Sequence, residues 1–302
     1  MRHPTNAVVG LSCFLAASFL WPAQNPPVTN AGAVVLAVTV TDSKDNPVVD
    51  LKAEDFTVHE DGQPQQIISV RREDVPVSMG ILVDNSGSMR QKRLPVMNGL
   101  LRLVEAGNTQ DEIFVVNFND EPFLDVDFTS DITQVRQALA RVDSRGGTAL
   151  FDSVIASADH MPKAAKFHKR VLVVVTDGAD NESHTSLQQT IADLQSVDGP
   201  AVYTIGIIFD DPQARRARKD LELLAAQTGG GAYFIKNAKD LDKVAQKIAQ
   251  EIRSQYSVSY APATPQSHGG FRKINVIVGR KGLTIRAKAA IWQAAKVNLR
   301  DR

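Results

Sequence analysis

Three short patches of this chain concentrate hard oxygen donors. "ILVDNSGSM" offers Asp84, Ser86 and Ser88, "RGGTALFDS" offers Thr148, and "VLVVVTDGAD" offers Asp177. Two carboxylates and three hydroxyls suit a divalent ion such as Mg²⁺ or Mn²⁺, with Ca²⁺ as a further candidate. These ions prefer oxygen and commonly keep positions open for water or a ligand oxygen. Each patch alone has a plainer reading. A short Asp/Ser/Gly turn after a strand can be a helix cap, Thr148 can be an N-cap, and Asp177 can be a turn aspartate. A cation is also favoured by charge. Two carboxylates about 5 Å apart repel by roughly 3 kcal/mol at an effective dielectric of about 20. Without a cation one of them is driven toward protonation, whereas with one both stay charged.

Convergence depends on the elements that carry these patches. "VSMGILVD", "EIFVVNF", "RVLVVVTD" and "AVYTIGII" are apolar runs of strand length. Helical segments fall between and after them, at Leu94 to Glu105, Asp131 to Arg141, Ala149 to Met161, Leu187 to Gln195, Ala214 to Gln227 and Asp240 to Ser254. In the last, Leu241, Val244, Ile248 and Ile252 recur at spacings of three and four, which marks one apolar face. Strands apolar on both faces that alternate with helices predict a doubly wound, mostly parallel α/β sheet of Rossmann-like type. Ligands bind such sheets beyond the carboxyl ends of the strands, where Asp84 and Asp177 fall.

The two ends of the chain read differently. Residues 33–75 are strand-like, with "EDFTVHEDGQPQQIISV" forming a hairpin tipped by Asp61-Gly62. This segment holds too few apolar residues to fold alone. From Tyr256, "YSVSYAP", "FRKINVIVGR" and "LTIRAKAAIW" read as three strands. Residues 255–302 are therefore expected to pair with 33–75 in a small β module, with the α/β domain of 76–254 inserted between them.

The N-terminus has another character. Arg2 and His3 precede an apolar stretch from Ala7 to Leu20, and no acidic residue occurs before Asp42. This is the layout of a secretory signal peptide over 1–23, with an uncleaved anchor as the alternative, followed by a linker over 24–32; the stretch is short for a membrane span. The single cysteine, Cys13, lies inside it, so the processed chain has neither a disulfide nor a cysteine metal site. A secreted, periplasmic or envelope location is expected, without a stable membrane span after cleavage.

Taken together, the donor patches resemble the metal-ion-dependent adhesion site of the von Willebrand factor type A domain family. "DEIFVVNFND", "YTIGI" and "LAAQTGGGAYF" extend the resemblance over about residues 75 to 254, and the flanks are similar to those of secreted bacterial type A-related proteins. The resemblance implies that Ser86, Ser88 and Thr148 bind an ion through their hydroxyls, while Asp84 and Asp177 act directly or through water. In the family one coordination position is left for an acidic side chain of a protein partner. In some members the direct contact by Thr148 or Asp177 is coupled to movement of the last helix. Asp152, four residues after Thr148, is expected to brace the loop from behind the ligands.

Other chemistries find little support. Lys plus Arg and Asp plus Glu are both 34, so no bulk charge points to nucleic acid. His3, His59, His160, His168, His184 and His268 show no ligand spacing, and there is neither a G-x-S-x-G elbow nor a P-loop. "DNSGSMRQKRLP" fails as an EF-hand, with Met89 where glycine is needed and Pro95 where the bidentate glutamate belongs. The basic cluster Arg215, Arg216, Arg218 and Lys219 reads as a solvated helix face. A phosphatase with Asp84 as nucleophile would need a second acid two residues on, where Ser86 stands. The expected function is a non-enzymatic, metal-dependent protein-binding module. The alternatives are a structural envelope protein with a stabilising metal, and the phosphatase.

Overall fold

Strand β4 (Ser78–Asp84) is buried along its whole length and serves two cores at once. Met79, Ile81 and Val83 point to one face of the sheet, and Leu82 to the other. The same alternation runs through β5 (Glu112–Phe118) and β7 (Arg170–Thr176), so Ile113, Val115, Val171, Val173 and Val175 share the first face. Helices α1 (Arg93–Glu105), α2 (Ile132–Leu139) and α6 (Leu241–Ser254) cover that face. Phe114, Val116, Phe118, Leu172 and Val174 face α3 (Leu150–Ala164), α4 (Leu187–Leu194) and α5 (Pro212–Thr228). Each large aliphatic side chain buried this way contributes about 1.5–3 kcal/mol. Gly99 lets α1 and α6 approach closely, because a Cβ there would lie 2.3 Å from Leu241 Cδ2.

The structure, a computed structural model, describes residues 33–72, 74–141, 143–196, 198–207, 212–263 and 269–293. The expected signal peptide, Cys13 and the linker lie outside the described residues. Strands β8 (Ala201–Ile207), β9 (Ala232–Ile235) and β6 (Pro122–Thr129) complete a six-stranded sheet of order β6-β5-β4-β7-β8-β9. All its neighbours are parallel except β5 and β6. From β4 the chain first builds outward through β5 and β6, then crosses to β7 on the opposite side. The order therefore reverses at β4, which places a crevice beyond the carboxyl ends of β4 and β7.

The chain ends form a second, antiparallel sheet from β1 (Val34–Thr41), β2 (Phe56–Glu60), β3 (Gln63–Arg71), β10 (Tyr256–Ala261), β11 (Gly270–Val278), β12 (Thr284–Arg286) and β13 (Ala290–Gln293). Its order, β12-β1-β10-β3-β2-β11-β13, interleaves strands from both ends. Val38, Val58, Tyr256, Val258 and Tyr260 form its core. The β2–β3 hairpin turns at Asp61 (φ 50°) and Gly62 (φ 80°), the two positive angles of a tight hairpin.

Two departures from the sequence reading have physical causes. The edge strand β6 was not foreseen, because Asp125 and Asp127 interrupt it and none of its residues is fully buried. The last apolar segment, read as one strand, is two. Between β12 and β13 the chain leaves its own ladder, and Ala289 N donates to Gln227 O at 3.2 Å. Lys288 Nζ donates to the carbonyls of Leu194, Ser196 and Gly199 at 3.3, 2.8 and 2.9 Å. Among the described residues, no helix is long and apolar enough to cross a membrane.

Candidate metal centre

Asp84 ends β4 with no exposed surface. Its Oδ1 accepts from Ser86 N at 2.8 Å, and its Oδ2 accepts from Thr176 Oγ1 at 2.6 Å. Parallel pairing of β4 with β7, in register at Val83 and Val175, makes Thr176 the neighbour of Asp84. Past Ser86 the chain makes a 3₁₀ turn, Gly87–Met89, held down by the fully buried Met89. Ser86 Oγ lies 3.1 Å from Ser88 Oγ, and Ser88 Oγ donates to Asp177 Oδ1 at 2.8 Å. Asp84, Ser86, Ser88 and Asp177 thus form one hydrogen-bonded run across the ends of two adjacent strands.

The loop that carries Thr148 is bonded to this run. Gly87 N donates to Gly146 O at 3.3 Å, and Arg145 N donates to Asn85 O at 3.1 Å. Gly146 turns the loop at φ +68°, and Gly147 N donates to Asp120 Oδ1 at 2.6 Å. Thr148, 4% exposed, donates its N–H to Asn181 Oδ1 at 2.7 Å and accepts at its carbonyl from Asn181 N and Glu182 N. Its hydroxyl is not a helix cap. The N-cap of α3 is Ala149, and the amides of Phe151 and Asp152 are taken by Asp180 Oδ2 and Ser183 Oγ from the loop after β7. Ser86 likewise makes no side-chain capping bond.

Asp152 lies one helical turn behind. Its carboxylate accepts from His184 N at 2.9 Å and Thr185 N at 3.0 Å, which ties the loop after β7 to α3. Those bonds lower its pKa against the opposing effect of burial. Burial pushes the Asp84 carboxyl above its ordinary range; the Thr176 and Ser86 bonds oppose the rise and the Asp177 charge adds to it.

Two cations approach the carboxylates. Lys92 Nζ contacts Asp177 Oδ2 and lies 3.4 Å from Ser88 O. Arg93, 3% exposed, donates through Nη2 to Asn117 Oδ1, Leu139 O and Arg141 O. Burial lowers its pKa to about 10, with the charges of Asp84 and Asp125 opposing. Sequence reasoning missed Lys92, Arg93, Thr176, Asp120 and Asn181. Only the position of Thr176, beside Asp177 in "TDG", carried any signal. Among the described residues no group of three or more His, Cys, Asp or Glu could hold an ion. The donors here are mostly hydroxyls, and an ammonium already rests against one carboxylate. Asp84, Ser86, Ser88, Thr148 and Asp177 could hold a hard divalent cation.

Residues 79–179 match the family described as the von Willebrand factor type A domain. The chain carries a type A domain. A von Willebrand factor type A structure from Catenulispora acidiphila is 13% identical with a TM-score of 0.53, covering 90% of this chain and 76% of that one. This likeness reaches beyond the parallel sheet. Proximal thread matrix protein 1 from the mussel byssus, with a zinc-occupied MIDAS motif, is 16% identical with a TM-score of 0.51. That match covers 63% of this chain and 48% of the mussel protein, so the chain spans about half the length of the mussel protein. These similarities concern the fold. A comparison with curated proteins finds no match.

Proposed function

We propose that this chain is a non-enzymatic, divalent-metal-dependent protein-binding module that captures a carboxylate of its partner. The observation that carries this reading is the run Asp84–Ser86–Ser88–Asp177, closed by the Thr148 loop at the switch point of the sheet. A divalent ion, Mg²⁺ or Mn²⁺ foremost, would supply a positive charge with a position open to a partner's oxygen. Asp84 and Asp177 would balance that charge. Ser86, Ser88 and Thr148 would present neutral hydroxyls, so the filled site would carry no net negative charge to repel an acid. Asp152 would hold the loop after β7 against α3.

A phosphatase role fits poorly. Asp84 has no exposed surface and both its oxygens are bonded, so it lacks the access of a nucleophile, and Ser86 cannot serve as the acid two residues on. The same reading takes 1–23 as a signal peptide, 24–32 as a linker, 76–254 as the type A domain, and 33–75 with 255–302 as its β module. It places the protein in the envelope or outside the cell, with a protein rather than nucleic acid as partner.

The test is capture from envelope extract of the producing cells on immobilised protein. Three conditions are compared: Mg²⁺ plus Mn²⁺, chelator, and Asp84→Ala in metal, with folding of the variant checked by circular dichroism. A protein retained only by the wild type in metal is expected. The same retention in all three would overturn the binding role. No retention, with metal raising the melting temperature, would favour a structural ion.

A further inference from the structure

Resting on the metal reading above, we propose that Lys92 is a built-in competitor for the cation position. Its ammonium neutralises Asp177 when no divalent ion is bound and must leave before one enters. Lys92 thereby sets the metal concentration at which the site fills.

Four observations carry this. First, Lys92 Nζ lies against the carboxylate of Asp177, itself bonded to Ser88 Oγ, and is 3.4 Å from Ser88 O. Second, the two partners differ in freedom. The Asp177 side chain is 1% exposed whereas that of Lys92 is 25% exposed, so the lysine can swing to solvent and the aspartate cannot. Third, Lys92 is the N-cap residue of α1, makes no capping bond there, and is followed by Arg93 with no acid in the first turn. Two cations at the positive end of a helix oppose its dipole, so the site's carboxylates are what make the placement favourable. Fourth, Arg93 is locked by three acceptors under the site, which leaves Lys92 as the cation able to move. A lysine suits this exchange, since its ammonium is a compact point charge on a flexible stem, without the bidentate grip of a guanidinium.

Apparent affinity falls by the fraction of molecules whose site is free. If Lys92 rests on Asp177 about nine-tenths of the time, its removal raises metal affinity about tenfold.

The experiment is calorimetric titration of the full chain with Mn²⁺, using wild type, Lys92→Met, Lys92→Arg and the control Arg145→Gln. Arg145, with its side chain 72% exposed and paired to Asp143, removes one charge from the adjoining loop without touching Asp177. Lys92→Met should bind Mn²⁺ about tenfold more tightly, Lys92→Arg no more tightly than wild type, and Arg145→Gln within about twofold of wild type. Melting in chelator supplies a second readout: Lys92→Met should melt below wild type without metal and level with it in saturating Mn²⁺. Equal Mn²⁺ affinity in wild type and Lys92→Met would overturn the proposal and leave the metal site standing. An equal gain in Arg145→Gln would overturn it as a remote charge effect. Absence of Mn²⁺ binding in every form would remove both the proposal and the metal reading.

Discussion

The sharpest structural prediction concerns Arg286, where the antiparallel sheet meets helix α6. Arg286 on β12 pairs with Glu251 on α6, and the Glu251 side chain is 1% exposed against 27% for Arg286. Burial works against the guanidinium charge, but Glu251, Tyr233 and Tyr203 outweigh it and hold the Arg286 pKa above its ordinary value. Arg286→Met would strand the carboxylate. Removing one partner of a buried pair costs roughly 3–5 kcal/mol, because the other charge is left buried without compensation. In a chain of this size that corresponds to a fall of roughly 5–8 °C in melting temperature. Urea unfolding followed by circular dichroism at about pH 7 is the assay. Glu251→Gln combined with Arg286→Met should recover most of the loss, since no unpaired charge remains. A deficit below about 1 kcal/mol, or no recovery in the double variant, would refute the reasoning.

Two further outcomes follow from the buried polar contacts. Thr176→Val keeps the shape of the side chain but removes the donor to Asp84 Oδ2, and should cost about 1.5–3 kcal/mol in metal-free protein. A loss under about 0.5 kcal/mol by urea titration would show that this bond does not hold the carboxylate. Stability should also rise between pH 8 and about pH 10. Burial lowers both Lys169 and Lys288 to about 8, against the charges of Asp74 and Asp111 for the first and Asp198 for the second. The unfolded chain keeps these protons to about pH 10.4, so raising pH through the window favours the folded state. Above about pH 10 the trend should reverse, because burial raises the pKa of Tyr203, Tyr233 and Tyr260, and unfolding releases their protons. Urea midpoints at pH 7.5, 9 and 10.5 check the sign, and Lys288→Met should flatten the rise.

Much of the architecture was legible because burial on both faces leaves a strong local signature. "MGILV" and "VLVVV" are apolar at every position because the sheet is covered on both sides by helices. Helix α6 was readable from Leu241, Ile248 and Ile252, which do line its buried face. Strand β6 was not, because an edge strand with Asp125 and Asp127 lacks that signature. The division of the last segment into β12 and β13 was equally hidden. It is decided by where Lys288 and Ala289 find carbonyl partners on other elements, and such partners leave no trace in local periodicity.

The site divides along the same line. The residue types and their order along the chain were enough to nominate Asp84, Ser86, Ser88, Thr148 and Asp177, because a hard cation demands oxygen donors and strand ends present them. Adjacency was a tertiary matter. Asp84 meets Thr176 only because β4 pairs with β7 rather than with another strand, a contact spanning 92 residues. The Thr148 loop reaches the Ser86–Ser88 turn through backbone bonds that no side-chain pattern encodes. Lys92 appeared in the sequence as one basic residue in a basic run; only folding set its ammonium against Asp177. By itself the sequence determined which donors exist and in what order, since composition and periodicity are local properties. Which of them touch, and which cation already lies among them, was decided by long-range strand pairing.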